Sequence, residues 1–177
     1  MLAKKIHLAL IEGPEQRKDV HIEPFMEDHM VLVVAATHEW ADREIAVQDL
    51  IAQPLLVREY GSGSRRIVEQ ALSNVGLKVK DLTISMELDS TEGLLSAVEA
   101  GLGVTFVSRW AVRNQLALDT LKLARVNGLK LARRFSMAYA AGPEPGGSMG
   151  AFRNYLLSRA VEISPRRAAR LERGRKA

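Results

Sequence analysis

From Pro54 to Val112 the chain switches repeatedly between short apolar runs and helix-period patterns, which restricts it to folds assembled from strand–helix–strand units. Pro54-Leu55-Leu56-Val57 is the first such run. After the turn Tyr60-Gly61-Ser62-Gly63-Ser64-Arg65, a helical pattern appears at Ile67, Val68, Ala71, Leu72 and Val75, and Gly76 stops it. Leu82 to Leu88 reads as a second strand, Asp89 or Ser90 as the cap of a helix carrying Leu94, Leu95 and Val98, and Gly101 as its end. Gly103 to Val107 is a third strand, and Ser108 is placed to cap a helix with Trp110, Val112 and Leu116. Right-handed crossovers then put helices on the faces of a mostly parallel sheet.

The flanks extend this pattern. Ile6 to Ile11 is a strand that ends at Glu12-Gly13-Pro14, and Val20 to Ala36 is a long extended segment that bends near Asp28 before its apolar half. Leu121 to Val126 and Leu131 to Ala141 are extended around Asn127-Gly128. Ser148 to Val161 is a closing helix whose apolar side holds Phe152, Tyr155, Leu156 and Ala160.

Composition removes several function classes. An apolar fraction of 47% with 26% charged residues is that of a globular protein, and no apolar stretch reaches the roughly 20 residues of a membrane span or makes a signal peptide, so a cytoplasmic protein is expected. With no cysteine there is no disulfide framework, thiolate metal site or thiol nucleophile. The net charge of +4 suggests a nucleic-acid partner until it is located. From Pro165 onward six Arg and Lys face Glu172, a net +5, which leaves 4 − 5 = −1 for residues 1–164; the excess belongs to a basic, flexible tail at 165–177.

Catalytic and metal-binding constellations are missing. His7, His21, His29 and His38 are scattered without ligand spacing, and the glycine–serine turn matches neither G-x-S-x-G nor a Walker loop. No catalytic residue, metal or cofactor is expected. What the turn does offer is a strand end, two glycines, two serines and a helix N-terminus, which together suit a small anion. Gly61, Ser62, Gly63 and Ser64 are therefore candidate binding residues, with Arg58 as a nearby cation and Glu12-Gly13 as a second strand-end wall.

Taken in order, the segments LALIEGP (8–14), EPFMEDHMVLVVAATHEWA (23–41), PLLVREYGSGSRRIVEQAL (54–72) and ELDSTEGLLSAVEAGLGVTFVSRWAV (87–112) resemble the effector-binding domain of LysR-type transcription regulators. The resemblance implies an α/β, periplasmic-binding-protein-like (type II) two-lobed fold, with lobe one at 1–28 and 136–164 and lobe two at 29–135. It implies an incomplete lobe one and no winged helix-turn-helix, so that DNA is reached only through a domain this chain lacks. It further implies that a small anionic effector, a sulfur oxyanion or a carboxylate, binds between the lobes at Glu12, Gly13, Gly61, Ser62, Gly63 and Ser64. Self-association, a regulatory rather than enzymatic role and no membrane partner complete the expectation. A stand-alone solute-binding protein of the same fold is the alternative.

Overall fold

The run Met30 to Ala35 is apolar at every position because the strand that carries it is covered on both faces. In the computed structural model, which describes residues 6–12 and 19–163, this run is the end of β2 (Val20–Ala35). The chain divides into two units: His29–Ala132 forms unit 2, and Met1–Asp28 with Arg133–Ala177 forms unit 1.

Unit 2 contains the end of β2, β3 (Glu44–Ile45), β4 (Leu55–Arg58), α1 (Gly63–Asn74), β5 (Ile84–Leu88), α2 (Thr91–Glu99), β6 (Thr105–Ser108), α3 (Arg113–Ala117) and β7 (Leu121–Val126). Alternation along β2 sends Leu32 and Val34 to one side, where they pack with Val68 and Leu72 of α1, and Val33 to the other, with Leu94, Leu95 and Val98 of α2. Leu55 and Leu56 divide between the two cores in the same way. Each such fully buried leucine or valine stabilises the unit by about 1.5–3 kcal/mol.

Helix and strand placements follow the sequence pattern, with two adjustments. Ser90 caps α2, its Oγ accepting the Gly93 N–H at 3.2 Å, as the motif suggests. Ser108 instead accepts the Trp110 N–H at 3.1 Å within a turn, and the helix begins only at Arg113, after Val112. The expected mostly parallel sheet is in fact mixed. β4 and β5 are parallel, as are β3 and β7 and the bridge between Leu55 and Val104; β2 runs antiparallel to both β6 and β7. The reason is that β2 enters the unit as a crossover strand rather than through a strand–helix–strand connection.

Unit 1 contains β1 (Leu8–Glu12), the start of β2, β8 (Ala132–Ala140) and α4 (Gly147–Ile163). β8 lies between β1 and β2, and β1 pairs with it antiparallel from Leu8–Tyr139 to Glu12–Phe135. Phe152 and Tyr155, expected on a covered side of α4, are 45% and 55% exposed. What fixes the helix is polar: the Arg153 guanidinium donates to both carboxylate oxygens of Glu23 on β2, at 2.6 and 2.7 Å, and the Tyr139 hydroxyl donates to the same group at 3.2 Å.

The Arg153 hydrogen bonds hold the Glu23 carboxyl below its ordinary value of 4.5. A carboxylate whose folded pKa is depressed stabilises the fold above its unfolded pKa and loses that contribution as pH falls through the folded value. Acid titration of stability should therefore show the wild type falling more steeply than Glu23→Gln below about pH 4.5, with the gap between them closing once the carboxylate is protonated in both states. Parallel curves for the two proteins would contradict this assignment.

Among the described residues no helix is long and apolar enough to cross a membrane. The basic segment 165–177 lies outside the described residues.

Candidate effector site

Because β4 and β5 are parallel, their C-terminal ends lie side by side, and each leads directly into a helix N-terminus. β4 ends at Arg58 and reaches α1 through Glu59 to Ser62. β5 ends at Leu88 and reaches α2 through Asp89 and Ser90.

The turn before α1 needs Gly61, whose φ of +92° is a conformation other residues adopt only with strain. A Cβ there would meet nothing within 4 Å, so the requirement is conformational rather than spatial. Ser62 is the N-cap residue, with φ −59° and ψ 134°; its backbone N–H donates to the Glu59 carbonyl at 3.1 Å, and its carbonyl accepts from Arg66 at 3.1 Å. Its hydroxyl makes no capping bond, unlike that of Ser90. The amides of the first turn of α1 have no intrahelical acceptor, and no acidic residue stands in that turn. Gly61 is exposed and Ser62, Gly63 and Ser64 are half-buried, so the helix end is open to a small ligand.

Two arginines brace this end of the unit. Arg58 binds both oxygens of Glu59, at 2.8 and 3.1 Å, and donates to Thr91 Oγ1 at 3.1 Å, tying the end of β4 to the first residue of α2. Arg65 donates to Glu69 at 2.7 Å, to Glu87 at 2.5 Å and to the Arg58 carbonyl at 3.0 Å. Arg58 and Arg65 hold the Glu59 and Glu87 carboxyls, respectively, below the ordinary carboxylate value. Arg58 is thus engaged by a neighbour rather than presented alone, and its clearest role in the fold is to hold the two helix starts in register. Thr91 and Arg65 were not singled out by sequence reasoning; nothing in their local pattern marks them.

Glu12, in unit 1, closes β1 and accepts a hydrogen bond from Arg133 at 2.5 Å. The same guanidinium donates to Asp28 at 2.7 Å and lies 4.8 Å from the Phe135 ring. Asp28 is 0% exposed and Arg133 8%. Gly13, expected beside Glu12, lies outside the described residues.

A crevice of about 30 Å³ under α1, bordered by Ser64 and Arg65, has room for little more than a water molecule. A wider open depression of about 590 Å³ along β2, β6 and β7 contains none of the residues expected to bind ligand. Among the described residues no group of three or more His, Asp or Glu is arranged to hold a metal ion.

The model of the LysR substrate binding domain family matches residues 1–161. The HTH-type transcriptional regulator CysL of Bacillus subtilis is 33% identical over 134 residues, which are 75% of this chain and 44% of that protein. Among solved structures, the Synechocystis PCC6803 CcmR regulatory domain in complex with 2-PG superposes with a TM-score of 0.81 at 21% identity, covering 93% of this chain and 78% of that one. The effector binding domain of QuiR in complex with shikimate gives 0.75 at 18% identity, covering 92% and 76%. The chain thus spans about half the length of the curated relatives it matches. Its fold is the type II periplasmic-binding-protein-like α/β fold of LysR effector domains, and these relatives are transcriptional regulators, not enzymes. The chain belongs to the LysR substrate-binding domain family.

Proposed function

We propose that this chain is the ligand-sensing part of a LysR-type transcription regulator, taking up a small anionic effector and passing the change to a DNA-binding domain outside this sequence. The observation that carries the reading is the start of α1. There Gly61 turns the chain, the Ser62 hydroxyl makes no capping bond, and no acidic residue stands in the first turn. Gly61, Ser62, Gly63 and Ser64 would hold the anionic group, and Arg58 would add positive charge behind them. The ligands named for the relatives, 2-PG and shikimate, are small anions, which supports a carboxylate or oxyanion class here. The sulfur oxyanions implied by the family resemblance fall within that class. Effector binding acts by shifting populations between states of differing affinity. Self-association in the cytoplasm, without a membrane partner, completes the proposal.

Calorimetric titration of sulfate and small carboxylates into the protein tests the cradle. Ser62→Ala and Ser64→Ala should each weaken binding by about five- to tenfold, the loss of one hydrogen bond to a charged group. Unchanged affinity in both variants would sink the cradle.

A further inference from the structure

Unit 2 has a second concavity, away from the turn before α1. It is the open depression of about 590 Å³ along β2, β6 and β7, and every residue bordering it lies within His29–Ala132. Neither Arg58 nor any residue from Gly61 to Ser64 borders it. Three exposed cations do: Arg109, Arg125 and Lys130. Among the described residues none of these three side chains makes an ion pair or a hydrogen bond. Glu44 is the single acid on the wall; it stands opposite Arg125 in the β3–β7 register, with no ion pair between them. Three positive charges thus share one depression with one negative charge.

The cations stand at two ends, because β2 runs between β6 and β7. Arg109 follows β6 directly, and its backbone N–H donates to the His29 carbonyl at 2.9 Å on one side of β2. On the other side Arg125 lies on β7, and Lys130 precedes Leu131, whose carbonyl accepts the Met30 N–H at 2.8 Å. The ends are therefore separated by two strand spacings, about 10 Å. Apolar residues of the three strands, Leu32, Phe106 and Val126, line the same depression. We propose that this depression is a second small-molecule site, which takes an elongated dianion with an apolar middle, such as a medium-chain dicarboxylate. Its volume lies in the range of about 300–1,000 Å³ usual for such sites. Gathering unneutralised like charges is unfavourable, and a concave wall concentrates their field on an anion that enters. A guanidinium grips a carboxylate through two parallel N–H groups, so Arg109 holds one end of the ligand and Arg125, with Lys130, the other. A short anion reaches only one of these ends. A long monoanion leaves the far end unneutralised.

Three carboxylates titrated calorimetrically into the full chain test the site: suberate, whose extended chain spans the two ends, succinate, which is too short, and octanoate, which is charged at one end only. Suberate should bind about tenfold tighter than either of the others. Arg109→Gln should bring suberate down to the affinity of octanoate, and Arg125→Gln and Lys130→Gln should each weaken suberate about three- to tenfold. All three side chains are exposed, and thermal unfolding of each variant checks that it folds. Ser62→Ala and Ser64→Ala should leave suberate binding unchanged, so this site can stand or fall without the cradle. No binding of suberate at millimolar concentration, equal affinity for suberate and octanoate, or suberate binding that survives Arg109→Gln intact overturns the proposal. So does suberate binding that is lost in Ser62→Ala, which would place the ligand at α1 instead.

Discussion

Arg133→Met is expected to cost about 3–5 kcal/mol of stability. The arginine joins the ends of that unit's two chain segments: Asp28 is the last residue of the first and Arg133 the first of the second. Removing the guanidinium takes from a carboxylate at 0% exposure its 2.7 Å ion pair, and breaking a buried pair by removing one partner costs far more than the pair was stabilising. The control is the double variant Asp28→Leu with Arg133→Met, which removes both charges and should recover most of the loss. Urea unfolding followed by circular dichroism measures all three proteins. If Arg133→Met lies within about 1 kcal/mol of the wild type, the pair is not the structural bolt described here.

Gly103→Ala should destabilise unit 2 by about 3 kcal/mol or more. Gly103 has φ +157°, and a Cβ built there would lie 2.4 Å from the Pro54 carbonyl oxygen and 3.1 Å from a methyl of Leu56. The oxygen cannot move aside, because it accepts the Val104 N–H at 2.9 Å and the Leu56 N–H in turn donates to the Val104 carbonyl at 2.9 Å. These bonds flank the isolated parallel bridge between Leu55 and Val104, at the starts of β4 and β6, so the added methyl must open that bridge or twist the chain. Both tryptophans, Trp40 and Trp110, lie in unit 2, so their fluorescence during urea unfolding reports on this loss directly. An unshifted midpoint would show that the bridge can relax.

Local pattern carried most of unit 2. The continuous run at Met30 to Ala35 announced burial on both faces, Ser90 announced a capped helix, and Gly61-Ser62-Gly63 announced the strand-to-helix turn that α1 uses. Patterning missed where only pairing decides. Strand direction was misjudged for β2, because a residue string does not reveal whether a strand meets its neighbours through a crossover. Ser108 has the chemistry of a helix cap, yet it closes a turn instead, since Val112 must first drop into the core at 0% exposure before α3 can begin. Of the candidate site, the turn was legible and its bracing was not. Arg58 to Thr91 spans 33 positions and Arg133 to Asp28 spans 105, separations at which no periodicity or spacing rule operates.

The hydrogen bond from Met30 N to Leu131 O, 2.8 Å long, joins the first and last turns of chain in unit 2. Unit 2 is therefore a closed insert, with entrance and exit side by side, and every strand it needs is made on the ribosome in one uninterrupted stretch. Unit 1 has no such independence: β1 must wait for β8, more than a hundred residues later, before its ladder can form. Vectorial synthesis thus imposes an order of assembly, insert first and host second. The early folding of the insert draws Asp28 and Arg133 together, and so shortens the loop that unit 1 must close from the whole insert to a single hydrogen-bonded neck.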